Sequence, residues 1–449
     1  MTLIKGISGL RGIVNKGLNL KVVSNYAYAF SILQPNGKIL VARDARSHGE
    51  KFLSKITDIF NYYNICYDNY DIIPTPTAQF LIHHLNYCGG IVVTASHNPI
   101  DWNGMKFIDN DGCFLSKNKI EKLNIIYDEL NEDLKESQKE NEDMSLEGIE
   151  KHIKHTCDLS IIDKNKIIKN KYNVAVDAAN GAASIALPLL LEKLGCNVHK
   201  INCTPNGTPS RGMEPIKENL EGISNYVRKN NLDIGFATDP DGDRLAIIDN
   251  YGNPISEEIT LPICVLNIIN ISSIKSPIIT NLSTSMMLEH VCKSKNLSVI
   301  RTAVGEINVV EEMKKHSSII GGEGNGGIIL KESHLGRDSI VGAAIILNHL
   351  SLTSKTIKEI CKDIPQTFMI KEKISIYKTT FKQVKNKLKK LFKNVETNEV
   401  DGIKFIWNEK WAHIRPSNTE PIIRIYIESY FESEITELMN AIRHLIENE

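Results

Sequence analysis

A serine in a tight polar turn, a run of alternating aspartates and a lysine are the residues of this chain best suited to phosphoryl chemistry. Ser96 lies in Thr94-Ala95-Ser96-His97-Asn98-Pro99, directly after the apolar run Gly89 to Val93, and Asn103-Gly104-Met105-Lys106 follows it. A serine hydroxyl is a weak nucleophile until a base or cation eases loss of its proton. A phosphorylated serine is a good donor once cations neutralise its oxygens. The loop Asp239-Pro240-Asp241-Gly242-Asp243-Arg244 meets that need. Alternating carboxylates in a tight loop can converge on one hard cation, and magnesium suits an all-oxygen set completed by a phosphate oxygen. The calcium loop of an EF-hand fails on register: glycine precedes the third acidic residue, Arg244 stands where the loop's glycine is needed, and Asn250 where its glutamate ligand is needed.

Two later loops carry binding chemistry. Glu323-Gly324-Asn325-Gly326-Gly327 combines polar side chains with glycines that let the backbone approach a ligand. Arg415-Pro416-Ser417-Asn418-Thr419-Glu420-Pro421, with Arg424 beyond it, offers guanidinium, hydroxyl and amide donors. Such a set suits a phosphate dianion that stays bound rather than reacts. Each loop alone is an ordinary polar turn; their joint occurrence carries the reading.

The elements that must position these loops follow an α/β rhythm. Lys38 to Ala42 reads as a buried strand, His48 to Tyr62 and Thr77 to Leu85 as helices, and Gly89 to Thr94 as the strand entering the serine loop, an order that argues a parallel sheet. Residues 128 to 155 are mostly polar and charged and read as a solvated helix or linker. A second unit has a strand at Asn173 to Asp177, a helix from Ser184 to Leu194 stopped by Gly195, and strands at Ile234 to Thr238 and Leu245 to Asp249 flanking the acidic loop. A third has strands at Pro277 to Asn281 and Leu297 to Thr302, a helix from Ser285 to Lys295, and a strand resuming at Ile328. The spacing predicts three similar α/β domains, 1–152, 153–252 and 253–360, then a smaller α+β domain, 361–449. That last domain is expected to hold a helix over Phe381 to Phe392, strands at Ile403 to Trp407, Trp411 to Ile414 and Ile422 to Glu428, and a helix from Ser433.

Composition narrows the function. Lys plus Arg (53) nearly cancel Asp plus Glu (54), leaving a net charge of -1 and no global field to attract nucleic acid or anionic membrane. No apolar run approaches the roughly 18 residues of a membrane span. The nine cysteines are scattered, with no CxxC pair, which fits a reduced cytoplasmic compartment.

In their order along the chain, the four loops resemble the signature motifs of the α-D-phosphohexomutases, most closely bacterial phosphoglucosamine mutases. The resemblance implies mixed sheets around a central cleft and an intramolecular phosphotransferase. On it, Ser96 is the phosphoserine and, with Asp239, Asp241 and Asp243, a ligand of one magnesium ion per chain. Lys106 is the acid/base, with His97 and Arg11 as further catalytic residues. Arg244, Glu323, Asn325, Arg415, Ser417, Asn418, Thr419 and Arg424 bind the phosphosugar. A hexose 1,6-bisphosphate is implied as intermediate and activator, and the chain as a monomer or homodimer. If Lys106 acts as a base, burial or a nearby positive charge must oppose the phosphate's tendency to raise its pKa.

The pattern departs from the family on the sugar side. Several members carry histidines where this chain has Glu306 and Gly327, and a lysine in the stretch matching Asn281 to Thr284. Glucosamine 6-phosphate is the expected substrate, mannose and glucose phosphates the alternatives. A non-catalytic sugar-phosphate binding protein and a phosphatase are the rival classes.

Overall fold

The computed structural model describes residues 3–130, 133–139, 142–375, 380–417 and 422–447. Its first sheet comprises β1 (Leu3–Gly6), β2 (Gly9–Ile13), β3 (Ile39–Arg43), β4 (Tyr67–Ile72), β5 (Gly89–Val93) and β6 (Trp102–Asp109), in the order β1-β2-β6-β5-β3-β4. Every residue of β3 and β5 is buried, as expected of central strands covered on both faces. The helix Ser47–Tyr62 lays Phe52, Leu53, Ile56, Ile59 and Phe60 inward at helical spacing.

The second sheet contains β7 (Asn173–Asp177), β8 (Asn197–Ile201), β9 (Ile234–Thr238) and β10 (Leu245–Ile248), ordered β10-β9-β7-β8. The third contains β11 (Ile278–Asn281), β12 (Val299–Thr302), β13 (Ile320–Glu323) and β14 (Gly327–Leu330), ordered β12-β11-β13-β14. The three units share one plan. Their core strands pair in parallel, β3 with β4 and β5, β7 with β8 and β9, and β11 with β12 and β13. A final strand, β6, β10 or β14, then turns back antiparallel. The sheets are therefore mixed, as the family resemblance implies, and not purely parallel. The serine, acidic and glycine-rich loops all occupy the same place, the turn into that antiparallel strand.

The fourth sheet is antiparallel throughout: β15 (Phe368–Ser375), β16 (Glu396–Asn398), β17 (Ile403–Ile406), β18 (Lys410–Pro416) and β19 (Ile422–Ser429), ordered β15-β19-β18-β17-β16. Helices Phe381–Leu391 and Glu432–Glu447 accompany it.

The stretch expected as a solvated helix or linker is in part a packed helix. Helix Ser145–Cys157 runs uninterrupted through residue 152 and buries Ile149, His152 and Ile153 against neighbouring helices. Its buried stripe is narrow and includes His152 and Thr156, so composition alone hid it. Among the described residues, no helix is long and apolar enough to cross a membrane.

The fourth unit is seated on the third by buried polar contacts. Glu428, fully buried on β19, accepts hydrogen bonds from Ser285 Oγ, Met286 N (2.8 Å), Thr367 Oγ1 (2.7 Å) and Trp411 Nε1 (2.6 Å). Lys404 Nζ donates to the Leu282 carbonyl at 2.7 Å, and Lys371 Nζ to Glu258 at 2.7 Å. Glu428→Ala leaves four donors without an acceptor and is expected to cost about 3 kcal/mol in urea unfolding. A loss below about 1 kcal/mol would show that the seat is held elsewhere.

Candidate active site

Ser96 is presented by a strained turn that a buried arginine holds from behind. Its φ is +49°, in the left-handed region that non-glycine residues seldom adopt, and its N–H donates to Thr94 Oγ1 at 2.9 Å. Arg46, 1% exposed, gathers the loop's carbonyls: its Nη2 donates to Ser96 O (2.5 Å) and Asn98 O (2.7 Å), its Nη1 to Pro99 O (2.8 Å) and Trp102 O (3.2 Å). Asp44, at the end of β3, pairs with Arg46 Nε at 3.2 Å and accepts from Thr94 Oγ1 at 2.6 Å. Sequence reading missed Arg46, because nothing near it along the chain shows that its targets lie in another loop.

The expected metal loop meets this serine. Ser96 Oγ donates to Asp239 Oδ2 at 3.1 Å. Ligand atoms of Asp239, Asp241 and Asp243 lie within 4.8 Å of one another, and all three residues are buried. Lys106, on β6, donates from Nζ to Asp241 Oδ2 (2.6 Å) and Asp243 Oδ2 (3.3 Å), and Thr75 Oγ1 donates to Asp241 Oδ2 (2.9 Å). Asp241 Oδ1 and Asp243 Oδ1 are buried with no hydrogen-bond donor among the described residues. Burial and the charges of Asp243 and Asp241 push the Asp239 carboxyl well above its ordinary pKa. Burial opposes ionisation of Asp241 and Asp243 too, but Lys106 on the first and Arg337 on the second hold them below the usual range. Donorless oxygens and a carboxyl reluctant to ionise are what a divalent ion would satisfy, so the donor set fits a hard cation.

Burial works against the charge of Lys106, but Asp241 and Asp243 outweigh it and raise its pKa. The opposing influences expected from the sequence, burial and a nearby positive charge, here Arg337, are therefore present but smaller than the carboxylate pull. His97 Nδ1 lies 3.4 Å from Ser96 Oγ. The charge of Arg244, burial and Arg11 keep its ring neutral. Arg11 is carried by β2, opposite Gly104 in β6, and donates from Nη1 to Asn98 Oδ1 at 2.9 Å. Burial lowers its pKa, as do Arg244, Arg337 and Arg424, against the pull of Asp241. Arginines from all four units thus act on one space.

Arg244 Nη1 donates to Glu214 at 2.7 Å, while its Nε lies 3.9 Å from Asp239 and 3.8 Å from Asp243. Glu323 is buried: Oε1 accepts from Asn281 Nδ2 (2.8 Å) and Gly305 N (3.0 Å), and Oε2 from Arg337 Nη1 (2.8 Å). Asn325 Nδ2 is 3.5 Å from Glu323 Oε2, and its Oδ1 accepts from Gly327 N at 3.1 Å. Arg415 Nε is 2.9 Å from Asp401, and Ser417 N donates to Ile422 O at 2.9 Å. Arg415 and Arg424 face each other across β18 and β19. Like charges directly opposite destabilise a sheet, and Asp401 offsets this pair on the Arg415 side. Asn418 and Thr419 lie outside the described residues. Arg337, a central side chain of the site, went unread in the sequence, where only the short Gly336-Arg337-Asp338-Ser339 helix start marks it.

Comparison with known proteins agrees with the fold. Family models for phosphoglucomutase/phosphomannomutase match in order: α/β/α domain I over residues 2–134, domain II over 150–252, domain III over 259–368 and the C-terminal domain over 376–445. The chain belongs to this family, within the α-D-phosphohexomutase superfamily. Among its relatives, a phosphoglucomutase/phosphomannomutase of Thermococcus kodakarensis is 32% identical, covering 98% of each chain. A probable phosphoglucosamine mutase of Pyrococcus furiosus is 29% identical, covering 98% of this chain and 97% of its own. The crystal structure of a putative phosphomannomutase from Thermus thermophilus shares the fold, with a TM-score of 0.85 at 21% identity over 100% of both chains.

Because Arg46 neutralises Asp44 and holds four carbonyls, Arg46→Met is expected to destabilise the protein by about 3–5 kcal/mol in denaturant unfolding. A loss under about 1 kcal/mol would remove Arg46 as the support of the serine turn.

Proposed function

We propose that this protein interconverts glucosamine 6-phosphate and glucosamine 1-phosphate through phospho-Ser96 and a glucosamine 1,6-bisphosphate that turns over within the site, and so supplies amino-sugar precursors. The observation that carries the reading is one buried cluster in which the Ser96 hydroxyl, three convergent aspartates and Lys106 meet. Ser96, Asp239, Asp241 and Asp243 would hold a magnesium ion. Bound there, the ion would supply positive charge to the phosphoryl oxygens and would offset the Asp241 and Asp243 charge that holds the Lys106 proton.

The sugar hydroxyl attacks phospho-Ser96: a new P–O bond to the sugar forms, the Ser96 Oγ–P bond breaks, and the hydroxyl proton passes to neutral Lys106. In the second half the other phosphate returns to Ser96, and Lys106 gives the proton to the departing sugar oxygen. Neutral His97 and Arg11 flank the transfer and orient the serine loop. The opposed Arg415 and Arg424, with Ser417, Asn418 and Thr419, grip whichever phosphate is remote from Ser96, while Arg244, Glu323 and Asn325 face the sugar. We divide the chain into functional domains 1–152, 153–252, 253–360 and 361–449 and place it in the cytoplasm, as a monomer or homodimer. Mannose or glucose phosphate is the second reading, favoured by the name of the Thermococcus relative.

Ser96→Ala is expected to abolish turnover while leaving hexose phosphate binding measurable by calorimetry. Full turnover by this variant would refute the phosphoserine. Parallel assays with glucosamine, mannose and glucose 6-phosphates, each with a trace of its bisphosphate, should favour glucosamine. A wide preference for either neutral sugar transfers the assignment, and release of inorganic phosphate alone would make the protein a phosphatase.

A further inference from the structure

Arg337 links three loops that the sequence keeps far apart. It is 8% exposed and its donors diverge: Nη2 to Asp243 Oδ2 (2.6 Å) in the acidic loop, Nη1 to Glu323 Oε2 (2.8 Å) in the glycine-rich loop, and Nε to Glu306 Oε2 (3.0 Å) at the start of helix Glu306–Lys315. Gln79 Nε2 holds the other Glu306 oxygen at 3.1 Å. With Oε1 of Glu323 already engaged by Asn281 and Gly305, and Oε2 only distantly approached by Asn325 Nδ2 at 3.5 Å, Arg337 makes the shortest bond to Oε2 and sets its direction.

The room for this arginine comes from a missing side chain. A Cβ at Gly327 would lie 2.2 Å from Arg337 Cδ and 2.9 Å from Cγ, closer than such atoms approach. Glu306 and Gly327 are also the two positions at which this chain lacks the histidines of several family members. One of them anchors the guanidinium and the other admits it.

We propose that Arg337 is a positioning residue that couples cation binding at the acidic loop to hexose recognition at the glycine-rich loop. One guanidinium shared by Asp243 and Glu323 cannot have its bond to the first altered without a change in its hold on the second. The inference rests on the hexose phosphate reading given above.

The test is a double-mutant cycle on the full chain with Arg337→Ala, Gly327→Ala and the pair. Two quantities are read: KM for the hexose 6-phosphate turned over by wild type, and Mn2+ affinity by calorimetry with and without that sugar. Each single substitution is expected to raise KM by about tenfold and to remove most of the factor by which sugar tightens Mn2+. The pair should be close to Arg337→Ala, since the guanidinium stem is the main obstacle to the added methyl and Asn325 Oδ1, 3.0 Å from it, need give only a few tenths of an ångström. Arg337→Lys, which keeps the charge but reaches one carboxylate at a time, is expected to lose the coupling too, and decides the matter if Arg337→Ala does not fold. Additive effects in the cycle, or an unchanged sugar–Mn2+ linkage in Arg337→Lys, would overturn the proposal. A residue needed only for packing would lower stability and kcat and leave the linkage intact. A wild type that turns over no hexose phosphate overturns the mutase reading itself, and this inference with it, an outcome distinct from an active wild type with additive losses.

Discussion

Three carboxylates buried on one hairpin turn are the constraint to which the rest of the site answers. Asp239, Asp241 and Asp243 lie too close together to be ionised without counter-charge, and within the second unit Arg244 stands 3.9 Å from Asp239 and 3.8 Å from Asp243. The balance comes from outside, Lys106 from the first unit and Arg337 from the third. Removing one member of such a buried group strands the others, so the units are held in relative position by the same charges that make the site. Docking and chemistry share one set of atoms.

The repeated plan of the sheets explains why those atoms meet. In each of the first three units the chain turns antiparallel after its third core strand, and that turn carries the serine, the aspartates or the glycines. Assembling the units brings three equivalent turns together. The antiparallel fourth unit contributes through register instead: β18 and β19 place Arg415 opposite Arg424, with Asp401 paired to Arg415.

Much of this was legible in the sequence wherever chemistry and local period coincide. The alternating aspartates announced a convergent set, and the apolar run before Ser96 announced a strand delivering a turn. Arg46 and Arg337 were illegible because their partners lie far away in sequence, Ser96 to Trp102 for the first and Asp243 with Glu323 for the second. Helix Ser339–Thr353 is buried on nearly every side, so it lacks the polar face that betrays a helix. Helix Ser145–Cys157 erred the other way, its charged residues masking a buried stripe. The Glu306 and Gly327 departures were visible as differences, but their joint meaning required seeing Arg337 between them.

The central claim is that Ser96 carries the phosphoryl group between sugars. Its most direct test is peptide mapping by mass spectrometry after wild-type protein is mixed with glucosamine 1,6-bisphosphate and magnesium, then again after excess glucosamine 6-phosphate is added. The account predicts one phosphoryl group, on Ser96, whose turnover is shown by exchange of isotopic label with the added sugar phosphate. A phosphoryl group found on His97, or a protein that converts the sugar while Ser96 stays unmodified throughout, would contradict it.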